Sequence, residues 1–141
     1  MDYETASADA FGKHLSGLGI NLLVRDLPGR VEFLTEVFGM RVFQPTEDFA
    51  ILTFSESVFQ LHSDGTYHAH PLPSLLPEAG ARGAGIELRL YDCDPDRAVA
   101  RAEARGEMIL QAPMDKPHGL REAYILDPDG YVWVPSQKLK T

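Results

Sequence analysis

A ten-residue pattern occurs twice in this chain of 141 residues, and it constrains the possible folds more than any other feature. Residues 17–26 and 83–92 both read G-x-G-I-x-L-x-(V/L)-x-D, at an offset of 66 residues. Each copy is followed by a charged amphipathic stretch and then by a glycine, Gly39 or Gly106. A repeat that keeps the order of its elements indicates one supersecondary unit that is built twice.

Each copy predicts the same succession of elements. Alternating apolar residues predict a first strand, and an apolar stripe at helical spacing predicts a helix that ends at the glycine. Three short strands then follow in each copy. The strands of the first copy are predicted at 18–24, 40–44, 48–54 and 57–62, and those of the second at 86–90, 107–111, 120–126 and 131–135. Both copies are therefore β-α-β-β-β modules, and the fold class is α+β.

The repeat also divides the chain. We expect a first module over residues 16–62 and a second over 83–135, which together form one compact domain over 16–135. The Pro-rich segment between them contains no clear periodicity and is predicted to be a linker with at most one short helical turn. The remaining parts are a loose N-terminal arm (1–15), that linker (63–82) and a polar tail (136–141).

Composition and charge exclude several classes of protein. Hydrophobic residues make up 44% of the chain and charged residues 24%, which is typical of a globular protein. The net charge of −8 argues against a nucleic-acid partner, since such proteins carry a basic face. No apolar run approaches the roughly 18 residues that a bilayer requires, and no signal-peptide core occurs, so we expect a cytoplasmic protein without a membrane partner.

The single cysteine, Cys93, excludes an intrachain disulfide. Its neighbours Asp92 and Asp94 should raise the pKa of its thiol, because a negative charge disfavours the thiolate. We therefore do not interpret Cys93 as a nucleophile.

Two sets of motifs link the modules to a known family. The first is N-L-L-V-R-D-L at residues 21–27, with Phe33 ahead of Phe38–Gly39; the second is G-L-R-E-A at 119–123, ahead of D-P-D-G-Y at 127–131. On these residues the chain resembles the vicinal oxygen chelate superfamily. That superfamily includes glyoxalase I, extradiol dioxygenases, fosfomycin-resistance transferases and bleomycin-resistance proteins.

The resemblance covers residues 17–135 and implies that each module curls into half of a barrel, so that the two halves form a cup. Successive strand residues should alternate between the cup and the helix layer. The side chains expected to pack on helices are Ile20, Leu22, Val24, Ile86, Leu88 and Leu90. Those expected to face the cup are Gly19, Asn21, Leu23, Gly85, Glu87 and Arg89, with Gln60 and His62 sharing a face of the fourth strand and Val132 and Val134 a face of the last.

Metal-dependent members of this superfamily hold one divalent ion with two histidines and two carboxylates. The resemblance places these ligands at Gly19, Gln60, Gly85 and Val134. Three of the four have no side chain that can bind a metal, and Gln60 offers only a neutral carbonyl oxygen. We therefore predict no metal and no other cofactor. The two glycines leave room for a ligand at the cup floor, although a pair of bulges would explain them equally well.

A shifted metal site stays open as an alternative. It would use His62 and Glu87 together with His118 or His14, although the spacing matches no known motif.

Polar residues of the cup face are the predicted ligand contacts. They are Asn21, Gln60, His62, Glu87 and Arg89. Glu87 and Arg89 are two residues apart on one face and can form an ion pair. Among these side chains His62 titrates nearest to neutral pH, so His62, or else Glu87, would be the base if the protein is an enzyme.

These features favour a metal-independent protein that binds a small organic molecule in the cup between the modules, as bleomycin-resistance proteins do. The rival hypothesis is a lyase or isomerase that works without a metal or with a relocated one. A third possibility is a structural module whose cup is filled by its own Leu23, Val132 and Val134. The resemblance also implies a homodimer. The sequence leaves open whether there is any catalysis.

Overall fold

The computed structural model describes residues 1–140 and contains both predicted modules. The first module consists of β1 (Asn21–Val24), α2 (Leu27–Phe38), β2 (Arg41–Phe43), β3 (Phe49–Phe54) and β4 (Ser57–Ser63). The second consists of β5 (Glu87–Tyr91), α3 (Pro95–Ala104), β6 (Met108–Asp115), β7 (Leu120–Leu126) and β8 (Val132–Lys138). Outside them lie the helix α1 (Ala8–His14) and two short 3-10 helices, Asp64–Tyr67 and Leu72–Leu75. None of the helices over 1–140 is long and apolar enough to cross a bilayer.

Each module forms one open four-stranded sheet with the same strand order. The first sheet runs β1-β4-β3-β2 and the second β5-β8-β7-β6. In both, the strand before the helix pairs in parallel with the last strand of the module, and the other pairs are antiparallel. The predicted α+β fold of two βαβββ modules is confirmed.

The chain divides into two compact units. The first contains Met1–Thr35 and Gly39–Leu75. The second contains the chain from Leu76 onwards together with Glu36–Phe38, the last turn of α2.

Helix α2 begins and ends where the sequence predicts. The Asp26 side chain accepts a hydrogen bond from the Gly29 backbone N–H (3.1 Å), and Pro28 occupies the first turn. Gly39 ends the helix with a φ of 71°, a conformation that glycine adopts without steric cost. Between these caps Phe33 is fully buried, which stabilises the fold by roughly 1.5–3 kcal/mol relative to an exposed side chain.

The second unit has the same arrangement around α3. The Asp94 side chain caps this helix by accepting from the backbone N–H groups of Asp96 (3.0 Å) and Arg97 (3.3 Å). The helix contacts β6, β7 and β8. The buried residues of this layer are Leu90, Ala98, Val99, Ala102, Ala123, Ile125 and Trp133. By strand alternation, Trp133 lies on the face of the second sheet opposite to that of Val132 and Val134.

The D-P-D-G turn is held together by one side chain. Asp127 Oδ1 accepts from the backbone N–H groups of Asp129 (2.9 Å) and Tyr131 (3.1 Å). Its Oδ2 accepts from Trp133 Nε1 (2.9 Å). Gly130 follows with a φ of 87° and lies so close to Ala81 that no side chain fits there.

The prediction that Ile20 and Ile86 pack against helices is wrong. Their exposed fractions are 39% and 58%. Both strands begin later than predicted, at Asn21 and Glu87. Gly85 has a φ of 92°, and the Ile86 N–H donates to the Gly83 carbonyl (3.1 Å), so Ile86 belongs to a turn and the alternation begins after it.

Residues 1–15, expected to be a loose arm, contain a capped helix. Ser7 Oγ accepts from the Ala10 N–H (3.1 Å), and Phe11 is buried. The Gln44 amide holds the start of the segment by donating to the carbonyl oxygens of Tyr3 (2.6 Å) and Ala6 (2.9 Å). This helix was not predicted, because its seven residues show no clear apolar periodicity.

Candidate functional site

The predicted polar residues of the first sheet lie on one face. In the register of the sheet, Asn21 pairs with Gln60 and Leu23 with His62. Because alternate strand residues point to the same side, Asn21, Gln60 and His62 share a face that we call the front face of the first sheet. The opposite face carries the apolar residues Leu22, Val24, Ala50, Leu52 and Leu61, all of them buried.

His62 is held between aromatic rings and one amide. Its Nε2 lies 3.2 Å from Gln60 Oε1. Its ring centroid is 5.2 Å from that of Phe49 and 5.1 Å from that of Tyr67. Burial lowers the pKa of His62 below its ordinary value, because the charged imidazolium loses hydration there. Gln60 Oε1 accepts a hydrogen bond from Nε2, so Nε2 carries the proton of the neutral ring. The lone pair that can accept a further proton is then the one on Nδ1.

Tyr67 belongs to the same group, and the sequence did not predict this. Its hydroxyl accepts a hydrogen bond from Asn21 Nδ2 (3.2 Å), and its ring lies 4.8 Å from that of His70. Tyr67 comes from the first 3-10 helix, within the predicted linker. An aromatic residue in an otherwise Pro- and Gly-rich linker was the signal available.

A cleft of about 120 Å³ lies beside Gln60 in the first unit. Phe11 and Leu15 of the N-terminal segment and the residues that lead into β1 form its walls. Gly19 lies among them, and a Cβ placed on this glycine would meet no atom within 4 Å. The predicted room at Gly19 is therefore present. At Gly85 a Cβ would also meet nothing within 4 Å, but its φ of 92° already explains the glycine.

The predicted ion pair of the second sheet is formed. Arg89 Nη1 donates to Glu87 Oε1 (2.7 Å). Its Nη2 donates to Ser136 Oγ (3.3 Å) and to a second carboxylate, Glu122, which the sequence did not single out. The register of β5, β8 and β7 places these side chains on one face, which we call the front face of the second sheet.

Glu122 is the centre of this second group. Only 1% of its side chain is exposed, yet it receives hydrogen bonds from Arg89, from the Tyr124 hydroxyl (3.1 Å) and from His118 Nε2 (3.3 Å). Burial alone would raise its pKa, but the bonds from Arg89, His118 and Tyr124 outweigh burial and leave the pKa lowered. A glutamate is almost never buried without such partners. A charged residue at an inward-facing strand position was therefore the sequence signal that could have identified Glu122 as part of the site.

The five predicted ligand contacts thus form two groups. Asn21, Gln60 and His62 come together on the first sheet, and Glu87 and Arg89 come together on the second. Their roles in binding stay predictions.

The side chains at the four metal positions do not fit a divalent ion. Gly19 and Gly85 offer no donor, Val134 is a fully buried hydrocarbon, and the Gln60 carbonyl oxygen faces His62. The shifted set of His62, Glu87 and His118 or His14 does not assemble either. Within residues 1–140, no three His, Cys, Asp or Glu side chains lie close enough together to hold an ion.

Cys93 lies in an environment that keeps its thiol protonated. Burial raises its pKa to about 11, with a further rise from Asp94 that Arg101 partly opposes. The predicted direction and the part of Asp94 are confirmed, but the largest cause is burial, which the sequence did not predict, and Asp92 is not among the causes. A thiol with such a pKa is a weak nucleophile at neutral pH.

The fold and the motifs now agree with a comparison of sequences. The model of the Glyoxalase/Bleomycin resistance protein/Dioxygenase superfamily matches residues 14–134. The chain belongs to this superfamily. The predicted family is thereby confirmed, and the match begins within the last turn of the N-terminal helix. No curated protein sequence matches the chain.

Solved structures share the fold. A glyoxalase/bleomycin resistance protein/dioxygenase family enzyme from Burkholderia phytofirmans PsJN is 22% identical, with a TM-score of 0.70 over 86% of this chain and 97% of its own. TioX from Micromonospora sp. ML1 is 26% identical, with a TM-score of 0.63 over 88% of this chain and 99% of its own. A glyoxalase-related enzyme from Fulvimarina pelagi is 19% identical, with a TM-score of 0.69 over 87% and 88%.

Proposed function

We propose that this superfamily member binds a small organic molecule without the divalent ion that metal-dependent members use. The observation that carries the proposal is the group of Asn21, Gln60 and His62 on the front face of the first sheet, beside an open cleft at Gly19. Ligand sites in proteins are mostly apolar and carry a few convergent polar groups. Here these three polar side chains lie together, and the rings of Phe49 and Tyr67 contact His62. On the second sheet, Glu87 and Arg89 are the ligand contacts that we propose.

The side chains at the four metal positions of the family support the proposal that no divalent ion is needed. A binding site for a divalent ion needs carboxylate or imidazole ligands, and the family positions supply one neutral amide. The rings of Phe49 and Tyr67 around His62 favour an organic ligand, because aromatic surface contributes binding energy through its burial.

The test is a fragment screen by ¹H–¹⁵N NMR on chelator-treated protein, with small aromatic compounds as probes. We expect chemical-shift changes at Asn21, Gln60 and His62. The affinity for the best fragment should fall about tenfold in His62→Ala, because one lost hydrogen bond is worth roughly 1.5 kcal/mol. His68→Ala is the matched control, because His68 is exposed and bonds only within its own turn. Equal affinities in the two variants would contradict the proposed site.

A second function, a lyase or isomerase, is favoured by one contact in the second unit. Glu122 accepts from His118 Nε2 and so leaves His118 Nδ1 free on a half-exposed ring. A buried carboxylate that orients a histidine in this way prepares it as a general base. His118 therefore joins His62 and Glu87, the bases that the sequence predicted. Deuterium exchange into α-carbonyl compounds, compared between the wild type and His118→Gln, would detect such a base.

The third possibility, a structural module that binds no ligand, rests on the burial of apolar side chains on the front face of each sheet. Leu23 of the first sheet and Val134 of the second are buried, whereas Val132 is only half-buried. The cleft at Gly19 and the polar groups around His62 favour the binding function over this one.

A further inference from the structure

The N-terminal segment, residues 1–15, is this chain's addition to the family unit. The family match covers residues 14–134, so nearly all of the segment lies outside it. The segment is nevertheless firmly placed. Besides the two bonds from the Gln44 amide, the Gln44 backbone N–H donates to Glu4 Oε2 (3.0 Å). Gln44 has a φ of 50°, which a non-glycine residue keeps only when its surroundings hold it.

The segment lies on the front face of the first sheet. The Tyr3 ring is 5.6 Å from the Phe43 ring and 5.8 Å from the Phe11 ring. The register pairs Phe43 with Ile51 and Ile51 with Gln60. Phe43 is thus on the same face as Gln60, and the aromatic residues of the N-terminal segment cover the β2 side of the face on which we place the ligand.

The N-terminal segment forms part of the wall of the cleft. Phe11, which is 6% exposed, and Leu15 stand on one side of it, and Val58 and Gln60 of β4 on the other. Leu18, another residue of the lining, is 92% exposed.

Volume and lining define the class of molecule that fits. A cavity of roughly 150 Å³ lined by apolar side chains holds benzene, and the cleft measures about 120 Å³. Gln60 is its polar group on β4. Because Gln60 Oε1 faces His62, the amide NH₂ is the part that remains for a ligand, and it would meet a hydrogen-bond acceptor.

We propose that residues 1–15 form part of the binding site and set its size. Phe11 and Leu15 limit the inserted end of the ligand to a single ring that carries an oxygen acceptor, as in a phenol. This inference rests on the proposed binding function and adds the ligand class and the element that selects it.

The experiment measures the affinities of phenol and 2-naphthol by calorimetry for the wild type and two variants. We expect the wild type to bind phenol at least tenfold more tightly than 2-naphthol. Phe11→Ala should reduce or reverse this ratio, because the space that the second ring needs is opened. Phe38→Ala removes an equally buried phenylalanine outside the cleft and should leave the ratio unchanged.

A second variant, which fills the cleft instead of enlarging it, tests the inference even if Phe11→Ala proves unstable. Leu15→Trp places a larger ring at a partly exposed position and should weaken phenol binding at least tenfold. An unchanged ratio in Phe11→Ala and unchanged phenol binding in Leu15→Trp would overturn the inference.

The failure of this inference can be distinguished from the failure of the proposed function. Fragments that shift Asn21 and His62 in the NMR screen, with no phenol or naphthol binding in the cleft, would overturn the inference alone. If no compound of either set binds, both are overturned.

Discussion

At the scale of single residues, the hydrogen bonds on the front face of the second sheet converge on one buried charge, the Glu122 carboxylate. Glu122 stays ionised because Arg89, His118 and Tyr124 all donate to it. Removing one partner of a buried pair is far more costly than removing one on the surface, because the other charge is left without compensation.

The first prediction therefore compares two arginines. Arg89→Ala should lower the free energy of unfolding by about 3 kcal/mol at pH 7. Arg121→Ala is the control, since Arg121 bonds the exposed carboxylates Asp96 and Asp115 and its loss should cost clearly less than the loss of Arg89. Urea denaturation measures both. Equal losses would show that the Glu122 environment is more hydrated than its burial indicates.

The second prediction concerns pH and His62. Burial lowers its pKa in the folded state, so near pH 6 the unfolded chain binds more protons than the folded chain. The contribution of His62 to stability is then complete above the unfolded value of about 6.5 and is lost as the pH falls below it. Unfolding free energies of the wild type and His62→Gln between pH 5 and 8 should converge or cross at the acid end. Parallel curves would argue against a buried neutral imidazole.

At the scale of elements, the third prediction concerns the D-P-D-G turn, where the backbone of Gly130 lies close to that of Ala81. Gly130→Ala should destabilise the protein by about 1–3 kcal/mol, because the added methyl group would meet the Ala81 backbone and the φ of 87° is unfavourable for alanine. Gly12→Ala is the control within α1, where a Cβ meets nothing within 4 Å and alanine favours the helix by about 1 kcal/mol. Thermal denaturation should therefore move in opposite directions for the two variants.

What the sequence could predict depends on how local each signal is. The caps at Asp26 and Asp94 and the D-P-D-G turn bond to residues two to four positions away, so helix starts and the last hairpin were predictable. Strand alternation likewise placed Asn21, Gln60 and His62 on one face. Tyr67 reaches Asn21 across 46 residues, and Gln44 reaches Tyr3 across 41. Such contacts leave no periodic pattern, which is why the linker's aromatic residue and the placement of the N-terminal segment were missed.

At the scale of the whole molecule, the fold establishes the family and the site must establish the function, since one fold supports many activities. The structural neighbours described above include two enzymes, and with identities of 22% and 19% they show only the fold of this chain. Our proposal that this chain binds its ligand without a metal therefore rests on the residues at the four metal positions and not on the fold.

The resemblance also leads us to propose a homodimer, which is the fourth prediction. Light scattering coupled to size exclusion should give about twice the chain mass of 15.6 kDa. A mass of one chain at micromolar concentration would contradict it.

We propose that binding on the front face of the first sheet needs no divalent ion. To test this directly, the best fragment is titrated into chelator-treated protein and again after zinc, nickel, manganese or iron is added, and the NMR signals of Asn21 and His62 are followed. We expect the same dissociation constant and the same shifts in every sample, because the four family positions hold no charged donor. Binding that appears, or tightens more than tenfold, only when a metal is present would contradict it.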